Sequence, residues 1–234
     1  APDFKFSGTD IISVGVQDQR EPIISQRNKP QLSGIIRGGC LTAFILVFPP
    51  IKDEKDYIVL SYFYVPEDTI IERSRQDKVH YDLWAKEGYI KATPGNVIDY
   101  DFIRNDILAA SKKYNMQEIG YDPWGATELA TKLYNEYKIR MVEIRQWKSN
   151  ISEPAKDILV KVKKGEIDHY GNPVLRWCTD NLVMIPDADE HVRPAKDKAT
   201  DRIDGFVALI NAWTRMMFRE ETSSIYNKKD LLVL

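Results

Sequence analysis

Asp201 and Asp204 stand three residues apart where segment 196–219, KDKATDRIDGFVALINAWTRMMFR, passes from a polar arm into a long apolar-striped helix. A first-turn Asp is ordinarily a cap, because its carboxylate accepts the unpaired N–H groups and meets the positive end of the helix dipole. One such acid is enough, and Thr200 can serve as the cap. The two carboxylates then share one helix face with roughly 5–6 Å between them, a spacing at which like charges repel. A cation between them removes the repulsion. A third acid, Asp122, ends the strand-like EIGYD just before PWGATELATKL. The carboxyl edge of an α/β sheet is where sites collect, although Asp122 serves equally well as the cap of the helix that Pro123 opens. Hard oxygen ligands from two elements, with no His or Cys beside them, suit Mg²⁺ or Mn²⁺ and disfavour zinc. Two such ions about 3.5–4 Å apart activate a water and stabilise the leaving oxygen of an in-line phosphodiester displacement. The chemistry implied is nucleic-acid hydrolysis.

The elements that must position these acids are readable from periodicity. LTAFILVF and YIVLSYFYV, rich in β-branched and aromatic residues and separated by a charged turn, predict two strands of a hairpin. EDTIIERSRQDKVHYDLWAKEGYI and DYDFIRNDILAASKKYN carry apolar residues at three- and four-residue spacing on either side of TPGN, so both are predicted helical. MQEIGYD, PWGATELATKLYNEYK and IRMVEIRQ form a β-α-β unit, with Pro123 acceptable in the first helical turn. SEPAKDILVKVKKGEI has a capping-box-like start at Ser152, NPVLRWCTDN is a shorter helix, and LVMIPDADEHVRPAKDK is a strand, a polar turn and a basic arm. In the final helix Ile203, Phe206, Val207, Ile210, Trp213 and Met217 form the core stripe, while Asp201, Asp204, Ala208 and Asn211 follow one another on an adjacent face. Small residues there let something approach closely. Residues 1–40, with strand-like runs at IISVGV and SGIIRGG, are the least readable. Strands followed by alternating strands and helices predict an α/β fold, a mixed sheet with helices on both faces.

Composition bounds the answer without naming it. The 234 residues are 43% hydrophobic and 11% aromatic, enough for a sizeable core. The 33 basic and 35 acidic residues nearly cancel, so any nucleic-acid contact must come from local patches. Only Cys40 and Cys178 occur, without metal-ligand spacing, which fits a reducing compartment such as cytoplasm. No run of about 18 apolar residues predicts a membrane span, and APDFKFSGTD lacks the pattern of a signal peptide.

ATPGNVIDYDFI, IGYDPWGATELATKL, GNPVLRWCTDNLVMIPD and KATDRIDGFVALINAW, in this order and spacing, resemble the C-terminal nuclease domain of the large terminase subunit of tailed bacteriophages. The likeness covers residues 41–234, with residues 1–40 expected to join the same domain. It implies a ribonuclease-H-like fold and two-metal (Mg²⁺ or Mn²⁺) cleavage of double-stranded DNA concatemers during genome packaging. It also implies the small terminase subunit, the portal protein and the ATPase domain of the full-length subunit as partners, and the host cytoplasm as the location. The YDPW aspartate carries over to Asp122 and the RIDG aspartate to Asp204. Asp201 falls where some members have another metal ligand or a catalytic helper.

Two departures qualify the resemblance. Members usually carry a first-strand aspartate in a Gly-Gly-hydrophobic-Asp-Leu-Ser stretch, whereas here IIRGGCLTAFILVF runs from Gly39 through Cys40 into Leu41. Either that loop is deleted or lies outside this numbering, or a carboxylate elsewhere, such as Asp18, replaces the acid. A catalytically impaired module that only docks DNA or packaging partners is therefore the rival reading. The chain also contains no G-x-x-x-x-G-K-[ST] phosphate loop, so it reads as an isolated nuclease domain. Arg193, Lys196 and Lys198 adjoin the acidic pair and are candidate DNA contacts; Lys161, Lys163 and Lys164 read equally well as a solvated face. Asp99 and Asp101 read as caps, and His80, His169 and His191 as surface residues.

Overall fold

A computed structural model describes residues 4–5, 31–37, 41–51, 54–114, 116–186, 191–194 and 202–229. In chain order the strands are β1 (Phe4–Lys5), β2 (Gln31–Arg37), β3 (Thr42–Phe48), β4 (Tyr57–Pro66), β5 (Lys91–Thr93), β6 (Met116–Tyr121), β7 (Met141–Glu143), β8 (Ile167–Asp168), β9 (Val183–Pro186) and β10 (Val192–Pro194). The helices are α1 (Ile70–Gln76), α2 (Tyr81–Lys86), α3 (Tyr100–Lys113), α4 (Pro123–Tyr137), α5 (Lys148–Lys163), α6 (Pro173–Asp180) and α7 (Asp204–Lys229). The main sheet has the order β5-β4-β3-β2-β6-β7, with β8 added against β4, and β1, β9 and β10 make a small second sheet. β2 runs antiparallel to β3 and parallel to β6, and β6 runs parallel to β7, so the sheet is mixed.

β3 shows why TAFILVF is apolar without alternation: it lies at the centre of the sheet and is covered on both faces, as doubly buried strands are. Ala43, Ile45 and Val47 pack in one core with residues of α5, α6 and α7, while Phe44, Leu46 and Phe48 pack in a second core with residues of α3 and α4. The predicted α/β class and the two helical layers are both present.

The chain is buried without a break from Ile203 through the first part of α7 to Thr214, and a helical segment buried all round lies inside the fold rather than on it. The predicted stripe is in the core, with Met217 packed at its edge. Trp213 is fully enclosed, its Nε1–H donating to Asp157 Oδ2 at 2.8 Å and its ring 4.7 Å from that of Tyr57. The adjacent small-residue face is turned toward the sheet. A methyl group placed on Gly34 of β2 would overlap the Ala208 carbonyl oxygen and stand 2.7 Å from the Ala212 nitrogen. One placed on Gly120 of β6 would stand 2.8 Å from the Asn211 oxygen. What the small residues admit is thus strand backbone. The buried Glu118 on β6 accepts from Arg215 of α7 at 2.6 Å and pairs with Arg140 at 3.3 Å, so its charge is compensated as burial requires.

Several expectations need correction. The helical reading of 67–90 is interrupted: a 3-10 turn (Glu67–Thr69) leads into α1, and the chain breaks at Asp77–His80 before α2. Lys78 adopts φ 53°, and the Asp77 carboxylate is drawn inward by the Tyr81 hydroxyl at 2.8 Å and by Arg202 at 3.4 Å. Ser152 does not cap its helix. α5 begins at Lys148, and the buried Ser152 hydroxyl accepts the Val192 N–H at 3.0 Å, tying β10 to α5. His169 is buried at 1% exposure rather than a surface residue, whereas His80 is exposed. Asp99 is the cap of α3, accepting from Asp101 N at 2.8 Å; Asp101 instead pairs with Arg104 at 2.7 Å. IISVGV, Asp18 and Cys40 lie outside the described residues.

Candidate functional site

Asp122 follows the last residue of β6 and caps α4, its Oδ1 accepting the Trp124 N–H at 3.0 Å. The capping reading is therefore correct as far as it goes. It does not exclude a second role, because the same residue also stands at the carboxyl edge of the sheet beside β2, its N–H directed at Ile35 O at 3.5 Å. Asp122 is 8% exposed and borders a cavity of about 330 Å³ shared with Trp124, Gln146, Ile151, Arg193, Pro194 and Val207.

Three contacts fix where α7 brings Asp204. Moving up β6, Glu118 meets Arg215, Gly120 underlies Asn211, and Asp122 shares its cavity with Val207. The helix therefore runs against the direction of β6, and its first turn lies at the edge where Asp122 stands. Gly205 packs on Phe63 of β4, which pairs with Ala43, and Ala43 pairs with Ile36 of β2. Ile36 is one residue beyond the Ile35–Tyr121 pair, in line with Asp122. Asp204, also 8% exposed, thus begins α7 over the same row of the sheet. β2 itself, QLSGIIR, brings no carboxylate to that row.

An amide bridge braces this edge. Gln146 Nε2 donates to Asn211 Oδ1 at 2.9 Å and to Ile144 O at 3.0 Å, and Asn211 Nδ2 donates to Ile35 O at 3.2 Å. The end of β7, helix α7 and strand β2 are thereby held together below the acids. Behind them, Asn181 Nδ2 donates to Arg202 O at 3.1 Å and the Arg202 side chain reaches Asp77, so the approach to α7 is anchored twice. The Tyr81 hydroxyl in that anchor is held well above its ordinary pKa, first by burial and then by its bond to Asp77.

Arg193, from β10, lines the cavity with Asp122. Asp201, Lys196 and Lys198 lie outside the described residues. Lys161 is occupied elsewhere, paired with Glu166 at 3.0 Å. Among the described residues no group of three or more His, Cys, Asp or Glu is close enough to hold a metal. The donors at the edge are carboxylate and amide oxygens, a set that fits Mg²⁺ or Mn²⁺ better than a softer ion. Sequence reasoning noticed Asn211 on the right face but missed Gln146, whose role depends on a contact across the fold. No helix of the described residues is long and apolar enough to cross a membrane.

Comparison with known proteins bears on the family and the fold. The family profile described as terminase large subunit, endonuclease domain, matches residues 36–220. Protein YmfN of Escherichia coli (strain K12) is 36% identical over 182 residues, covering 75% of this chain and 38% of that protein. The terminase large subunit of Enterobacteria phage HK97 is 31% identical over 171 residues, covering 72% of this chain and 33% of its own length. The crystal structure of the HK97 large terminase superposes with a TM-score of 0.75 at 23% identity over 90% of this chain and 43% of that one. The large terminase nuclease from thermophilic phage G20c, crystallised with bound magnesium, shares the fold at TM-score 0.56 and 12% identity over 92% of this chain and 98% of its own. The chain spans about a third of the length of the sequence relatives it matches. With the profile covering most of its length and the mixed sheet matching these nuclease folds, the chain belongs to the family of terminase large-subunit endonuclease domains.

Proposed function

We propose that this domain is a Mg²⁺- or Mn²⁺-dependent endonuclease that hydrolyses double-stranded DNA, cutting concatemers during phage genome packaging in the host cytoplasm. The observation that carries the reading is the arrival of two largely buried carboxylates, Asp122 and Asp204, from different elements at one edge of the sheet. Two nearby acids of that kind repel unless a cation joins them. Asp122 and Asp204 would hold the metal, with Asp201 as a further ligand. When bound, two ions supply an activated water and stabilisation of the leaving oxygen. The chain's own residues do the rest: the Gln146–Asn211 bridge fixes the edge, and Arg193 offers a cation to a phosphate oxygen beside Asp122. Lys196 and Lys198 would extend that phosphate contact. The G20c nuclease, which shares the fold, is crystallised with magnesium, cobalt or zinc, which supports a divalent metal without choosing among the ions. The family supports packaging partners in general, and the partners in this reading are the small subunit, the portal and an ATPase domain of a longer subunit.

One observation favours a second reading, a module that docks DNA or packaging partners without cutting: β2 contributes no carboxylate. Plasmid cleavage separates the two. The purified chain should nick and linearise supercoiled DNA with either ion, with little sequence preference because phosphate contacts position DNA without reading bases. EDTA should stop it. Retained DNA binding with no cleavage in either metal would establish the docking reading instead.

A further inference from the structure

Of the five tryptophans, Trp213 is enclosed and Trp84 and Trp177 meet Tyr81 edge to face and each other at a tilt, their ring centroids 5.6–5.8 Å apart. The other two are exposed, Trp124 at 87% and Trp147 at 61%, and both are next to the cavity at Asp122. Trp124 lines it, and Trp147 follows Gln146, which lines it. The Arg145 guanidinium lies 5.1 Å from the Trp147 ring and is itself held by Glu143 at 2.7 Å, so one face of that indole is covered. Trp124 has no such cover. Its backbone is nevertheless firmly set: Pro123 precedes it, Asp122 accepts its N–H, and Gly125 behind it adopts φ 95°, a conformation that suits glycine. The backbone departs from helical angles at both Trp124 and Gly125.

An exposed indole on a rigid support, beside a cavity with Arg193 on its wall and Arg145 and Lys148 in the flanking segment, has the composition of a single-strand platform, in which cations track the backbone and an aromatic face receives a base. We infer that Trp124 stacks on an unpaired nucleobase next to the scissile phosphate, so that the site takes DNA locally opened at the cut. The inference deepens the endonuclease reading and rests on it for the word scissile, but base stacking itself needs neither metal nor cleavage.

The test is binding of the whole chain to a labelled oligothymidine and to a blunt duplex in EDTA, followed by fluorescence anisotropy. Trp124→Ala should weaken oligothymidine binding about tenfold, within the range for loss of one stacked base. Duplex binding should change less than about twofold, since phosphate contacts dominate there. Trp124→Phe should recover most of the loss. Because the indole is exposed, the melting temperature should stay at the wild-type value, which excludes misfolding. Wild-type oligothymidine binding by Trp124→Ala, an equal loss on both DNAs, or no oligothymidine binding by the wild type would each overturn the inference. A chain that fails to cut plasmid but shows the selective loss would overturn the endonuclease reading and leave the stacking intact.

Discussion

Asp204→Asn should leave a folded protein that cuts plasmid at least about a hundredfold more slowly, the order of loss when a group that stabilises the reacting oxygens is removed. The substitution keeps the shape, removes the charge and exchanges one acceptor oxygen for an N–H donor. If Asp204 were merely a first-turn acid, the change would cost a few tenths of a kcal/mol, up to about 1 kcal/mol, of dipole interaction and leave cleavage untouched. If it holds a metal, the metal-free protein loses a repulsion with its acidic neighbours and melts at the same temperature or slightly higher. Mn²⁺ then discriminates. Ligand binding to the native state raises the wild-type melting temperature by linkage, and that rise should shrink in Asp204→Asn. Asp201→Asn should act in the same direction more weakly. Wild-type cleavage together with an undiminished Mn²⁺ shift would remove Asp204 from the site.

Gly34→Ala should be the most damaging small change in the fold. The added methyl meets backbone, the Ala208 carbonyl and the Ala212 nitrogen, so no side-chain rotation relieves it and α7 must lift from β2. Overpacking of a core ordinarily costs about 1–3 kcal/mol, and a backbone-to-backbone clash belongs at or above the upper end. A loss of about 3 kcal/mol corresponds to roughly 6–12 °C in melting temperature for a domain of this size. Lifting α7 also stretches the Asn211–Ile35 bond and moves Asp204 relative to Asp122, so cleavage should fall further than stability alone explains. Ala208→Gly, which loosens the same contact from the helix side, should rescue Gly34→Ala little because the obstructing atoms are backbone. A Gly34→Ala protein with wild-type melting temperature would show that the helix does not sit on β2 as described.

Much of this was legible beforehand for reasons that lie in the chain. The hairpin β3–β4 and the unit β6-α4-β7 announce themselves because doubly buried strands and amphipathic helices leave periodic apolar runs. Asp204 stood out because Asp201 and Asp204 together exceed the one cap a helix needs, and Asp122 because it ends a strand at the carboxyl edge of the sheet. What was not legible depends on partners far away in sequence. Ser152 looked like a cap because Ser begins helices, but its hydroxyl serves Val192, forty positions on. His169 is polar in a polar stretch, yet tertiary packing buries it. The break after α1 hangs on Asp77 reaching Arg202, a contact spanning 125 positions that no local propensity carries. Gln146 had no signal at all until β7 and α7 placed it beside Asn211.

The most direct measurement is anomalous diffraction from crystals of the protein soaked in Mn²⁺. The account predicts manganese density bonded to carboxylate oxygens of both Asp122 and Asp204, at the edge braced by the Gln146–Asn211 bridge. It also predicts that Asp204→Asn crystals soaked in the same way lose that density or hold it weakly. Manganese bound elsewhere, or none at saturating concentration with both acids ordered and apart, would contradict it.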